Sequence, residues 1–151
     1  MSFECIIGQE RAKALVEAWL KARRVPHAIL LSGPPGTGKR RLALELAKAI
    51  NCHEASGQAC DQCVSCHKIE SLLHPDLQVL LPLIQGREKQ DSARLQEAMR
   101  TAVLDYIQEG HSPARSNVNI ARDYLRALQK EMTYAPTEAP YKIALIFEAE
   151  C

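Results

Sequence analysis

Four cysteines, Cys52, Cys60, Cys63 and Cys66, fall within fifteen residues in the pattern C-x7-C-x2-C-x2-C. Thiolates at that spacing can close a tetrahedral shell around zinc at about 2.3 Å each. The two overlapping C-x-x-C steps turn backbone N–H groups toward sulfur, and the seven-residue loop brings the remaining ligand round. Such a site is closed and structural, because no coordination position is left for water. Two other readings of the same residues stand beside it: reduced thiols without metal, and an iron–sulfur cluster, which also takes four thiolates. His53 and His67 each adjoin a cysteine and could substitute as ligands, but four cysteines already complete the shell. Cys5 and Cys151 lie outside the pattern and read as plain thiols.

A second constellation is Gly33-Pro34-Pro35-Gly36-Thr37-Gly38-Lys39, which fits the first seven positions of G-x-x-x-x-G-K-[ST]. Glycines there let successive backbone N–H groups turn inward around phosphate oxygens, the following helix adds its positive dipole end, and Lys39 supplies a point charge. The alternative is an accidental Gly/Pro-rich turn, which the flanking strand and helix patterns argue against. The eighth position should offer a hydroxyl to magnesium, and it is Arg40, whose guanidinium has no lone pair to give a metal. In phosphate-loop enzymes an Asp at the end of a later strand also serves the metal, and here Phe147 stands at that position, with Glu148 where a water-orienting Glu belongs. Both positions serving the same ion are lost together while the phosphate cradle is kept. That combination implies nucleotide binding, as ATP or ADP, with impaired hydrolysis and doubtful magnesium.

Positioning these groups requires a strand, the loop and a helix in that order. Ala12, Leu15, Val16, Trp19 and Leu20 recur on one helical face and predict a helix over Gln9–Arg23, ended by Pro26. His27–Ser32, HAILLS, is a continuous apolar run that predicts a strand buried on both faces. Leu42, Leu46, Ala49 and Ile50 mark a helix from Gly38, after which residues 51–67 form an inserted cysteine-rich module. Asp76–Leu81 and Lys142–Phe147 read as two further buried strands. Between them the composition predicts a loop over 85–91, a helix over 92–108 and another from Asn119 to the Ala135-Pro136 break. Strands 27–32 and 142–147 are expected to be parallel neighbours, since the loop after one and the carboxylate after the other must face one site, with right-handed crossovers placing helices on both sheet faces. The chain ends four residues past the third core strand, so residues 1–151 read as the N-terminal part of a longer domain.

Composition excludes several classes. With 151 residues, 46% hydrophobic and 25% charged, the chain can bury a core without a disulfide framework, and collagen-like, disordered and disulfide-scaffold readings fall away. Nineteen Lys and Arg against 18 Asp and Glu leave a formal charge of +1, so there is no overall positive field for nucleic acid. Arg23-Arg24 reads as a solvated helix end, and Arg40-Arg41 as plausible anion contacts beside the loop. Glu4, Glu10, Arg11 and Lys13 rule out a secretory start, and no apolar run approaches the roughly 20 residues of a membrane span. A cytoplasmic address is expected.

Taken together, IIGQE at Ile6–Glu10, HAILLSGPPGTGK at His27–Lys39, the cysteine module, HPD at His74–Asp76 and the closing FEAE resemble the clamp-loader AAA+ subunits of bacterial DNA polymerase III. The resemblance covers nearly the whole chain. It implies an α/β phosphate-loop AAA+ core, with a parallel sheet, helices on both faces and an inserted zinc-binding module. Carried over by position, it implies that Ile7, Gly8 and Gln9 flank the base, that Gly33 to Arg40 surround the phosphates, and that the four cysteines hold zinc. It further implies gamma/tau and delta subunits as partners, with the sliding clamp and primed DNA reached through the assembled complex. Within the family, Arg40 and Phe147 favour the delta-prime stator over the hydrolysing gamma/tau motor. An active gamma-type ATPase and a separate zinc-bearing phosphate-loop protein of DNA repair are the alternative readings.

Overall fold

The computed structural model of the chain describes residues 3, 6–54, 57–81, 101, 103–105 and 122–149. Helix α1 spans Glu10–Lys21 and buries Val16 and Leu20, with Ala12 and Trp19 packed beside them, as the helical spacing predicts. Leu15, expected on the same face, is instead half exposed at 51%. The helix stops before Pro26 is reached. Arg23 takes a left-handed φ of 52°, its N–H donates to Leu20 O and that of Arg24 to Trp19 O. These two bonds satisfy carbonyls the last turn would otherwise leave open.

Helix α2, Lys39–Asn51, sends Leu42, Leu46 and Ala49 into a core with Phe3, Ile6, Val16 and Leu20. It is buried well beyond one stripe, for Leu44, Glu45, Ala47, Lys48 and Asn51 are also inaccessible. The second buried side faces α3, Val64–Glu70, which follows the cysteine module and ends in the same manner as α1. Leu72, at a left-handed φ of 55°, donates to Ile69 O while Leu73 donates to Lys68 O. Nothing in the apolar periodicity announces α3, whose seven residues are too few to show a repeat.

The sheet of the described residues has two strands, β1 at Leu77–Leu80 and β2 at Ile143–Ile146, with α4 at Arg122–Met132 between them in the chain. The strands are parallel in the register Leu77↔Ile143 to Leu80↔Ile146. Ile143 N–H to Asp76 O at 2.8 Å and Phe147 N–H to Leu80 O at 2.9 Å extend the ladder at its two ends. Both strands fall within the predicted runs, but the predicted neighbour of 142–147 was wrong. His27–Ser32 forms no strand. Ile29 and Leu31 pack against the α1–α2 core while Leu30 between them is 83% exposed, so the run is buried on one side only. A continuous apolar stretch satisfies packing in several backbone conformations, and only a hydrogen-bonded neighbour makes it a strand.

The chain divides into two compact units, Met1–His74 with Glu138–Tyr141, and Pro75–Thr137 with Lys142–Cys151. The loop expected at 85–91, most of the helix expected at 92–108, and the N-cap expected at Asn119 lie outside the described residues; residues 101 and 103–105 are helical, with Val103 buried. No described helix is long and apolar enough to cross a membrane.

Candidate functional site

The phosphate loop leads directly into α2. Gly38 is its N-cap, in the left-handed region at φ 83°, and a Cβ there would stand 3.4 Å from Ile6 Cγ2 as well as being strained. Gly36 has φ 80° with nothing within 4 Å of a would-be Cβ, so the backbone is open to a ligand on that side. Thr37 Oγ1 donates to Pro34 O at 2.9 Å. Lys39 Nζ folds back onto the loop, donating to Gly33 O and to Pro34 O, each at 2.7 Å. An ammonium has three donors, so one remains for an anion, alongside the N–H groups of the first turn of α2. Pro35 is exposed and Arg40 partly buried.

The contact between Ile6 and Gly38 brings the N-terminal segment beside this loop. Gly8 and Gln9 take successive left-handed φ values of 75° and 58°, and Ile7 is turned outward at 96% exposure. Lys13 fixes the bend, donating to Ile6 O at 2.9 Å and pairing with Glu10 at 3.0 Å. Ile6 is thus the residue of this segment that the structure sets against the loop, with Ile7, Gly8 and Gln9 following it in the chain. The structure places Phe147 and Glu148 in the other unit, where Phe147 is buried and Glu148 has a left-handed φ of 50°.

The four cysteines converge. Their sulfurs all lie within 4.8 Å of one another, all four are free thiols, and Cys60 Sγ is 4.0 Å from Cys66 Sγ. A tetrahedron with metal–sulfur bonds of about 2.3 Å has sulfur–sulfur edges of about 3.8 Å, so donor set and spacing both fit a zinc-type ion. The overlapping C-x-x-C turns behave as their spacing predicts: Cys63 N–H donates to Cys60 Sγ at 3.3 Å and Cys66 N–H to Cys63 Sγ at 3.4 Å. Burial alone would raise the Cys63 thiol, but the N–H groups of Cys66 and His53 and the thiols of Cys66 and Cys60 outweigh it and hold its pKa at about 6. Cys66 goes the other way, pushed up by burial and by Cys63 and Cys52 despite the Asp61 N–H. The cluster thus favours negative charge at Cys63, the N-cap of α3.

An ion network beside the cluster was not anticipated. Lys48 Nζ, 4% exposed, lies 2.7 Å from Asp61, 2.9 Å from Glu45 and 2.9 Å from Glu70. Arg41 reaches Glu45 at 2.8 Å and Glu70 at 2.7 Å. Arg41 therefore turns to carboxylates, where the sequence suggested an anion contact beside the loop. Burial by itself lowers the Lys48 pKa, but the hydrogen bonds its ammonium donates to Asp61, Glu70 and Glu45 hold it above the ordinary lysine range. Burial likewise works to raise Glu70, and Lys48 and Arg41 reverse this and hold it below the usual carboxylate range. The spacing Arg41, Glu45, Lys48 was the available signal, since i, i+3 and i, i+4 neighbours share a helix face.

A glycine-capped loop opens α2, a four-thiol cluster stands at that helix's far end, and a small parallel sheet accompanies them, features that agree with a mixed α/β domain of the AAA+ type, the class to which the family match assigns the chain. Residues 8–151 match the family described as DNA polymerase III, delta subunit, and the chain belongs to that family. Among curated relatives, it is 29% identical to DNA polymerase III subunit delta' of Bacillus subtilis (strain 168) over 95% of this chain and 46% of that protein. It is 27% identical to DNA polymerase III subunit tau of the same strain over 99% of this chain and 28% of that protein. It is also 30% identical to DNA polymerase III subunit gamma of Buchnera aphidicola over 94% of this chain and 39% of that protein. The chain thus spans less than half the length of these relatives.

Proposed function

We propose that residues 1–151 are the N-terminal part of the AAA+ domain of a clamp-loader subunit, of the delta-prime stator type, with residues 51–67 as its inserted zinc module. The subunit works in the cytoplasm within an assembly with gamma/tau and delta subunits, and meets the sliding clamp and primed DNA through that assembly. One observation carries the reading: a family match over residues 8–151 falls on a chain that keeps Lys39 and its loop but has Arg40 and Phe147 at the two positions that should serve magnesium.

In this reading Ile7, Gly8 and Gln9 flank the base of a weakly held ATP or ADP. Gly33, Pro34, Pro35, Gly36, Thr37 and Gly38 line its phosphates, and Lys39 and Arg40 supply positive charge to them. Lys39 exchanges its contacts with Gly33 O and Pro34 O for a phosphate oxygen. Glu148 could orient a water, but phosphoryl transfer relies on a metal to neutralise the outer phosphates, and neither Arg40 nor Phe147 can hold one. Zinc on Cys52, Cys60, Cys63 and Cys66 supplies a cross-link that closes the module and leaves no open position for a reacting group.

Reconstitution of the full-length protein with gamma/tau and delta subunits checks this directly. A stable complex forms, and the isolated subunit binds nucleotide without magnesium-dependent turnover. Turnover abolished by Lys39→Ala would move the protein to the gamma/tau motor class, to which the tau relative is the pointer. Failure to join the complex would leave the separate repair protein as the better reading.

A further inference from the structure

Helix α2 joins two sites that are otherwise distant in the sequence. Its N-cap, Gly38, closes the phosphate loop, and its C-cap is Cys52, a member of the thiol cluster. Thirteen helical residues make a rod about 20 Å long, and it is tied to the cysteine module along that length as well as at its end. Arg41, two residues beyond Lys39, pairs with Glu70 of α3. Lys48 pairs with the same Glu70 and with Asp61, which lies between Cys60 and Cys63. Glu45, 1% exposed, sits between Arg41 and Lys48 and pairs with both.

We propose that metal occupancy of the cysteine cluster sets the geometry of the phosphate loop through α2, with Arg41 and Lys48 as the positioning residues that carry the coupling. A bound ion fixes Cys60, Cys63 and Cys66, and with them the carboxylates of Asp61 and Glu70. Releasing the ion frees those carboxylates. Lys48 and Glu45 are then buried charges with fewer partners, a costly arrangement that α2 relieves only by shifting. Because Arg41 lies one turn from the loop, that shift reaches Gly36–Lys39. Coupling between two sites is reciprocal, so nucleotide must tighten metal by the factor that metal tightens nucleotide. The nucleotide half rests on the reading of Gly33–Arg40 given above; the loop half does not.

Hydrogen exchange of a peptide covering residues 33–41 in the full-length protein, zinc-loaded, chelated and zinc-restored, tests the coupling without any nucleotide. Chelation is expected to speed exchange there reversibly and to weaken ADP about fivefold or more, with ADP tightening zinc by the same factor. In Arg41→Ala, zinc-loaded and chelated protein should exchange alike at the loop, and Arg41→Lys should restore part of the difference. Loop exchange that ignores chelation in the parent protein, or responds equally in Arg41→Ala, overturns the proposal. So does loss of the β1–β2 ladder on chelation, which would make the metal a support of the whole fold. If no form binds ADP, the nucleotide reading fails and loop exchange alone decides the coupling.

Discussion

Asn51 holds more of the first unit together than its polar side chain suggests. It is fully buried at the last position of α2. Its Nδ2 donates to Tyr141 O at 2.8 Å and its Oδ1 accepts from Tyr141 N–H at 3.2 Å. Its own carbonyl accepts from Ser65 Oγ at 2.7 Å, one residue before Cys66. One amide thus ties the end of the phosphate-loop helix to a segment ninety residues away and adjoins the thiol cluster. Asn51→Ala is expected to cost about 1–3 kcal/mol in denaturant unfolding, since two backbone groups lose their partner. Asn51→Asp, which keeps the volume, should be no milder, because a carboxylate cannot donate to Tyr141 O. A loss confined to Asn51→Ala would show that packing, and not the paired hydrogen bonds, is what matters at this position.

Helices α1 and α3 end through local backbone geometry. Both α1 and α3 close with a side-chain-bearing residue in the left-handed region, Arg23 and Leu72, where glycine is the usual occupant. That conformation costs about 1 kcal/mol or more for an L residue with a Cβ. Arg23 is exposed, and its N–H bond to Leu20 O is kept by any non-proline residue. Arg23→Ala removes the side chain and keeps the strain, whereas Arg23→Gly removes both, so the glycine variant is expected to be more stable than the alanine variant by about 0.5–1 kcal/mol, read as a higher unfolding midpoint with unchanged denaturant slope. Equal midpoints for the two variants would show that the left-handed backbone at this position carries no strain. The same closure explains why Pro26 is not what stops α1: the two bonds from Arg23 and Arg24 have already turned the chain.

At the scale of the molecule, the cysteine module and the sheet stand in different units, and metal removal should distinguish them. Structural zinc sites of this type contribute on the order of 10 kcal/mol or more to local folding. Purified full-length protein is expected to carry about one zinc per chain on this cluster. Chelation should speed hydrogen exchange across residues 52–70 while the ladder N–H groups of Ile143 and Phe147 keep their rates. Cys60→Ser should lower the metal content and reproduce the local loosening. Metal content far below stoichiometric, together with normal stability of Cys60→Ser, would restore the reading of four reduced thiols.

What was legible in the residues was whatever has a short range. Glycine spacing in Gly33–Lys39 located the glycine-capped loop at the head of α2, cysteine spacing located the thiol cluster, and helical spacing located α1 and α2, because each depends on neighbours within a few residues. The apolar runs at 76–81 and 142–147 likewise contain β1 and β2. Partnership was another matter. His27–Ser32 has as many apolar residues as Asp76–Leu81, yet a strand exists only where another backbone supplies its hydrogen bonds, and that depends on residues far along the chain. The pairing of Leu77 with Ile143, the Arg41 to Glu70 contact across 29 positions, and the Asn51 clasp on Tyr141 leave no periodic trace, since contacts of this length arise from how packed elements meet. The tertiary structure alone decided them.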